Sequence, residues 1–584
     1  MSALVRELPA VVAAEEVERL LGDPYDDTGP YGFAAAVARD ERDAFPEELC
    51  AVLRGAGFHL NYLPKEWGGG FESFDRCMVL VRTAARRDLN VMPGTMFGIT
   101  AATCLALHGS PPQQRYAADV LRRGGAVGFA LSEAEHGSDL LANTARLERD
   151  PAGGWRLTGE KWLVGLGRRC EAVYLVARTG ERGPGAFSAV LLDVAGDPVG
   201  FARSAPVRCG GMRGIDFAHL RFDRFPVPEA ALVGRVGQGL EAAVKAQQVV
   251  RVMSMAGSLG CGDTALRLCL DFAAGRRVGR TPLTETPYTR RELAIAAAAL
   301  LAADATALAA ARGIHAAPEV FSVWGCAAKH AVAEATEELM RRCAGVLATR
   351  SVLRGEGPGG GLFQKLQRDA ALVRVVDTST VANLRSFAAQ LPAVTRAAAG
   401  EEAAEFVRTV FDLRAPLPPY EPERLDLNAR GRDPVTAALP AVAREASARL
   451  AARGAHRAAG LVDRLAAAVA GLAGEAAGAE GATGLVDLAE RFAWLHAAAC
   501  CLHLWWANSE LPLYGAESGS AEWLGGCLGF LLARADGADP RRAADAQLPA
   551  FDTAAALHRA GLLFSALPVR LAPRRPAPHP APRP

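Results

Sequence analysis

The hydrophobic period changes twice along this chain, and those two changes limit the fold more than any single motif does. From about residue 35 to 125, apolar residues recur at three- and four-residue spacing, as in 74–86 and 113–123, the pattern of one-sided helices. Near Ala126 the period shortens. The runs 126–131, 154–164, 172–177, 187–194 and 219–227 are short, β-branched or alternating, and bounded by Gly, Pro and Asp. At Gly237-Gln238-Gly239 helical patterning returns and continues to about residue 395, broken at Thr281-Pro282 and by the glycine-rich 355–361. A Pro-rich strip at 415–420 precedes a second Ala/Leu/Arg-rich helical region over 435–566. Helices, then strands, then helices twice over, is an α+β order and not alternating βαβ.

These shifts predict an N-terminal helical domain (1–125), a middle β domain (126–235), a helical bundle (236–398), a linker (399–434), an extra helical domain (435–570) and a disordered tail (571–584). At 584 residues the chain is too long for one compact core. Half of it is apolar and 22% charged, the balance of a soluble globular protein. Lys+Arg (65) and Asp+Glu (64) cancel, so no overall field draws the protein to nucleic acid or an anionic membrane. The most apolar stretch, 293–311, is Ala-rich and carries Asp304, which predicts a buried core helix and not a membrane span. The twelve cysteines show no CxxC or zinc-finger spacing, which points to a reducing cytoplasm, and the eleven histidines show no metal spacing. The N-terminus lacks the basic start and apolar block of a signal peptide.

Several local strings bear on chemistry. Gly355-x-Gly357-x-x-Gly360 matches a dinucleotide fingerprint as letters, but helix precedes it and Pro358 sits inside, so a surface loop is the better reading. His136, Ser138 and Asp139 are triad residue types, yet neighbours in one loop cannot form a relay from three directions. The loop from Leu131 to Asp139 offers two serine hydroxyls and a glycine, able to face a phosphate or a flavin edge, or to be a plain turn. Asp377 follows an apolar run and precedes Thr378-Ser379-Thr380, the setting of a helix cap or of a desolvated general base.

In order and spacing, these pieces resemble the acyl-CoA dehydrogenase superfamily of flavoproteins. The likeness is carried by 63–70 (LPKEWGGG), 129–133 through Gly137-Ser138-Asp139, 157–162 (LTGEKW), Arg213-Gly214, 236–239 (VGQG), Arg251 with Ala256-Gly257-x-x-Gly260, and 364–370 leading to Asp377. It covers about residues 40 to 395. The resemblance implies a helical domain, a β-barrel domain and a helical bundle, with FAD between the last two. It implies flavin contacts from Phe129, Leu131, Ser132, Ser138, Leu163, Gly165 and Ser379, and contacts to a neighbouring subunit's FAD from Arg276 and Gly345. The implied chemistry is α,β-dehydrogenation of an acyl thioester of coenzyme A or an acyl-carrier protein. Asp377 is then the α-proton base, Arg251 a nearby buried cation, and an electron-transfer flavoprotein or oxygen the final acceptor.

Departures from the family pattern are as informative. The usual base is Glu; Asp377 is a methylene shorter, and a displacement of about 1 Å can cost on the order of 10²-fold. The alternative base position, just before Arg251, is Val250. The Thr whose hydroxyl meets the flavin is Gly165, and the Arg-x-x-Phe-Gly segment is reduced to Arg276-Arg277-Val278-Gly279. These changes keep open a flavin-dependent monooxygenase on the same fold, or a degenerate homologue without catalysis. Longer relatives append a helical domain that replaces one subunit contact, so by that analogy the region beyond residue 400 implies a homodimer, with a fused partner-binding module as the alternative.

Overall fold

The computed structural model describes residues 7–355, 358–396 and 401–574. The N-terminal domain is built from α1 (Pro9–Leu21), α2 (Phe33–Glu41), α3 (Glu47–Gly55), α4 (Phe74–Ala85), α5 (Val91–Met96), α6 (Ile99–His108) and α7 (Pro111–Arg122). Ser110 and Gln113 close a reciprocal capping box at the start of α7, so this helix begins where its sequence changes character.

The middle domain is one mixed sheet of β1 (Val127–Ala130), β2 (Arg146–Arg149), β3 (Trp155–Val164), β4 (Ala172–Arg178), β5 (Phe187–Asp193), β6 (Phe201–Arg203), β7 (Ala218–Val227) and β8 (Leu232–Val233). The strand order is β6-β7-β3-β2-β4-β5-β8, with β1 parallel to β4. β4 is buried on both faces: Tyr174 and Val176 join the helical core, while Val173 and Leu175 join the core of the β domain. That two-sided burial explains why β4 reads as a continuous apolar run and β3 and β7 alternate. The long runs were legible; β2, β6 and β8 are too short to announce themselves.

The bundle consists of α8 (Gly239–Gly275), α9 (Pro287–Ala316), α10 (Phe321–Leu347), α11 (Leu362–Val375) and α12 (Thr380–Ala388). The predicted core helix is α9, buried from Glu292 to His315. Its alanines let α8, α10 and helices of the C-terminal region pack on every side. Those later helices are α13 (Leu391–Val394), α14 (Glu401–Phe411), α15 (Pro434–Ala437), α16 (Leu439–Ala452), α17 (His456–Gly478), α18 (Gly481–Ala507), α19 (Glu522–Ala535) and α20 (Ala544–Arg559).

Two boundaries differ from the sequence reading. The span 399–434 is not a free linker: it contains α14, which buries Phe406, Val407, Val410 and Phe411. Arg312 of α9 donates to the carbonyls of Thr409, Val410, Asp412 and Ala415, and His315 donates to that of Pro418. A buried guanidinium and imidazole thus hold a segment whose prolines signal only irregular backbone. The expected tail also begins later. The Leu571 N–H donates to Gly561 and the Ala572 N–H to Glu18, while 575–584 lie outside the described residues.

Candidate active site

Two segments carry the candidate chemistry: the loop after β1, and the turn joining α11 to α12. The loop is fixed from beneath. The buried Glu133 carboxylate accepts from the Lys161 ammonium (2.8 Å), the Thr144 N–H (2.7 Å) and the Ala145 N–H (3.0 Å). Burial alone raises the Glu133 pKa, but Lys161 and these donors more than offset it and hold the carboxyl below its ordinary value. The Leu131 carbonyl accepts from Lys161 and Asn143, and the Ser132 carbonyl from the Trp162 N–H, which ties the loop to β3. Phe129 stacks on Tyr174 with centroids 6.0 Å apart. Against that rigid base, the Ser132 and Ser138 hydroxyls find no protein partner among the described residues. His136, Ser138 and Asp139 form a turn closed by the Asp139 N–H on the His136 carbonyl, with no relay.

At the end of β3, Leu163 takes a left-handed φ of 50° and its N–H donates to His219 Nδ1 (3.3 Å). The next departure from the family pattern has a steric cause. A Cβ on Gly165 would fall inside the ring of Phe97, which packs directly on the glycine. The threonine hydroxyl is absent because its space belongs to an aromatic side chain from the N-terminal domain. The Gly165 N–H has no acceptor among the described residues. It remains a free donor.

The structure brings Asp377 and Arg251 together, with Nε 3.7 Å from Oδ2 and side chains 6% and 1% exposed for Arg251 and Asp377 respectively. Asp377 is not a helix cap; Ser379 holds that position at the start of α12, and its hydroxyl makes no capping bond. Asp377 instead sits at φ 71°, with both oxygens buried and without a hydrogen-bond partner. Burial raises its pKa, opposed in part by Arg251 and then by Lys329. Lys329 of α10 was not singled out from the sequence, although a lone lysine within Ala327-Ala328-Lys329-His330-Ala331 is a signal of its own. Its ammonium donates to the carbonyls of Val376 (2.8 Å) and Thr378 (2.7 Å) on either side of Asp377. Burial brings the Lys329 pKa down to about 8, against the pull of Asp377.

Other contacts set the β domain against the bundle. The Met212 N–H donates to the buried Asp369 of α11 (2.6 Å), and a Cβ on Gly211 or Gly214 would collide with the backbone of α11 or of Ala44. Arg276, at the end of α8, and Gly345, near the end of α10, both stand exposed, with nothing within 4 Å of a Cβ on Gly345.

Residues 128–225 match the profile of the acyl-CoA dehydrogenase middle domain, and residues 237–389 match that of the acyl-CoA dehydrogenase C-terminal domain. A probable acyl-CoA dehydrogenase, FadE25, of Mycobacterium tuberculosis is 27% identical over 241 residues, 41% of this chain and 61% of the relative. A 3-sulfinopropanoyl-CoA desulfinase of Variovorax paradoxus is 28% identical over 264 residues, 43% of this chain and 65% of its own length. The chain thus spans less than two thirds of these curated relatives. The butyryl-CoA dehydrogenase structure from Megasphaera elsdenii superposes with a TM-score of 0.58 at 18% identity, covering 66% of this chain and 97% of that one.

Proposed function

We propose that this chain, whose residues 128–225 and 237–389 match the acyl-CoA dehydrogenase middle and C-terminal domains, is a member of that superfamily and an FAD-dependent oxidoreductase that dehydrogenates an acyl thioester at its α,β-carbons. The observation that carries this reading is the buried carboxylate of Asp377, kept at the turn between α11 and α12 and faced by Arg251. A desolvated carboxylate with a raised pKa is a stronger base toward the weakly acidic C–H beside a thioester carbonyl.

The residues present fit FAD. The loop after β1 offers the unpartnered hydroxyls of Ser132 and Ser138, with Leu131 and Phe129 as its apolar wall. The Gly165 N–H is a donor without a protein acceptor among the described residues; Leu163 and Ser379 join the contacts on the family resemblance alone. When bound, FAD supplies the acceptor for the hydride that leaves Cβ. Asp377 takes the α-proton on a carboxylate oxygen, with the Arg251 guanidinium facing that carboxylate at 3.7 Å. Both carboxylate oxygens are buried away from solvent. The family resemblance sets Arg276 and Gly345, both exposed here, toward a second subunit's cofactor in a homodimer. Acyl-CoA or an acyl-carrier protein as substrate, an electron-transfer flavoprotein or oxygen as final acceptor, and a cytoplasmic location complete the proposal.

Anaerobic titration of the flavin-loaded protein with a panel of acyl thioesters tests it. The flavin absorbance should bleach, and Asp377→Ala should slow bleaching by about 10²–10⁴-fold, the worth of a positioned base. Equal bleaching in both proteins removes Asp377 from the reaction. The sealing of Asp377 favours one second reading, a flavin monooxygenase that needs no base. Its mark is an oxygen-dependent product from a non-thioester substrate, with the flavin reduced externally.

A further inference from the structure

We infer that Lys329 is the positioning residue that sets the direction of the Asp377 carboxylate. The helix α11 ends at Val375, leaving carbonyls without intrahelical donors, and the chain must turn sharply to start α12 at Thr380. The Thr378 N–H closes the turn on the Val376 carbonyl (2.9 Å), and one ammonium group ties that turn to α10, donating to the Val376 carbonyl and the Thr378 carbonyl but to nothing else among the described residues. The residue between those two carbonyls is Asp377, held at a left-handed φ that a side chain enters only when its surroundings fix it. With both flanking carbonyls drawn toward Lys329, the Asp377 side chain is aimed at Arg251.

The carboxylate itself has no hydrogen bond to protein, so nothing attached to it directly holds it in place. Its position comes from the backbone on either side, and that backbone is fixed from α10. Lys329 is 3% exposed, too deep to serve as a solubilising surface charge, and its burial costs stability that two carbonyl bonds and a nearby carboxylate offset. Arg251 gives Asp377 a charge to face; Lys329 determines that it faces it.

The inference rests on the reading of Asp377 as the base for its kinetic consequence, but not for its structural one. Both are measured on the full-length flavin-loaded protein as wild type, Lys329→Met and Lys329→Arg. The first measurement is carbodiimide labelling of carboxyl groups, read by peptide mass spectrometry at Asp377. Wild type should resist labelling at this sealed carboxyl, and Lys329→Met should label at least about tenfold faster. Lys329→Arg, whose guanidinium can still span two carbonyls, should restore resistance. The second measurement is thioester turnover: Lys329→Met should lower kcat by about 10²-fold with KM unchanged, and Lys329→Arg should recover most of it.

Unchanged labelling in Lys329→Met overturns the inference whatever the kinetics show. Labelling that changes as expected in a protein with no thioester turnover supports the positioning role and removes Asp377 as base. A loss of kcat that Lys329→Arg fails to rescue, with labelling unchanged, also overturns it. If Lys329→Met does not fold, Lys329→Leu, which also removes every donor to the turn, replaces it with the same expectations.

Discussion

Two clusters of buried charge lie in the same helical body, and they are built on opposite terms. In the first, Arg82 of α4 and Arg86 and Arg87 just past its end meet Glu18 of α1, Asp263 and Arg267 of α8, and Asp304 of α9. Every carboxylate oxygen there is bonded. Glu18 takes Arg86 and Arg87; Asp263 takes Arg86, Arg267 and the Phe564 N–H; Asp304 takes Arg82, Ser565, Tyr514 and the Ala566 N–H. In the second, Asp377 and Arg251 face each other at 3.7 Å and neither carboxylate oxygen has a hydrogen bond. A buried carboxylate left unbonded costs free energy, whereas a saturated one is part of the scaffold. The difference separates a cluster that holds the fold from one that keeps a reactive group available.

The largest expected effect comes from damaging the saturated cluster. Its bonds to residues 562–566 clamp the end of the chain into the space between α4, α8 and α9, where Leu562–Val569 lie almost entirely buried. Asp263→Ala leaves Arg86 and Arg267 without their shared partner and frees the Phe564 N–H. Removal of one partner from a buried network costs about 3–5 kcal/mol. We expect that loss as local opening free energy at the Phe564 and Ala566 amides, read by native-state hydrogen exchange. Full protection in the variant breaks the comparison at once. Acid should mimic the mutation. Burial raises the Asp263 pKa, but Arg267, Arg86 and Arg82 more than offset that and hold it well below the usual carboxylate range. Its stabilisation is therefore present above the unfolded value near about 4 and is lost as pH falls through the depressed folded value.

How much of this was legible depends on whether a residue acts with its sequence neighbours or with distant ones. Changes of period gave the order of the domains, because β3, β4, β5 and β7 each reach seven residues or more, and α9 is buried along nearly its whole length. The nearness of Asp377 and Arg251 followed from the family resemblance, since the Asp377 segment by itself reads equally as a helix cap. Lys329, Phe97 and the Arg82 cluster were not legible. Each acts on a partner far along the chain: Lys329 on the 376–378 turn, Phe97 on Gly165, and Arg82 on Phe564, 482 positions away. The left-handed φ at Asp377 is also not marked in the sequence: aspartate tolerates it better than most residues, but the turn that uses it, closed by the Thr378 N–H on the Val376 carbonyl, carries no glycine or other obligatory signal.

A middle-sized effect sharpens the comparison at the edge of the expected flavin site. Gly165 is a glycine for steric reasons, so Gly165→Ala forces the Phe97 ring to move and should cost about 1–3 kcal/mol as overpacking. The same substitution in a Phe97→Ala background should cost much less, giving a coupling of about 0.5–3 kcal/mol in a double-mutant cycle on thermal unfolding. Additive effects would show that Phe97 does not fill the position left by the missing side chain. The ring also lines a cleft of about 240 Å³ with Tyr62, Thr95 and Leu166. Phe97→Ala should therefore open Gly165 to that space.

The smallest stability effect belongs to the group with the largest proposed role in turnover. Because burial raises the folded pKa of Asp377 above its unfolded value, with Arg251 and Lys329 only partly opposing, the folded protein holds its proton more tightly than the unfolded chain. The stabilising contribution of that proton is fully present below the unfolded value near about 4 and is lost as pH rises through the folded one. Above that folded value the ionised carboxylate is a net cost, the reverse of Asp263. Asp377→Asn removes the charge and keeps the shape. Its thermal midpoint should match wild type near pH 4 and equal or exceed it at pH 7, while Asp263→Ala falls below wild type at pH 7. A midpoint for Asp377→Asn that drops at neutral pH would make the pair with Arg251 a scaffold interaction after all. A midpoint that holds while thioester-driven bleaching is lost would establish that the unfilled hydrogen-bonding capacity at Asp377 serves chemistry and not the fold.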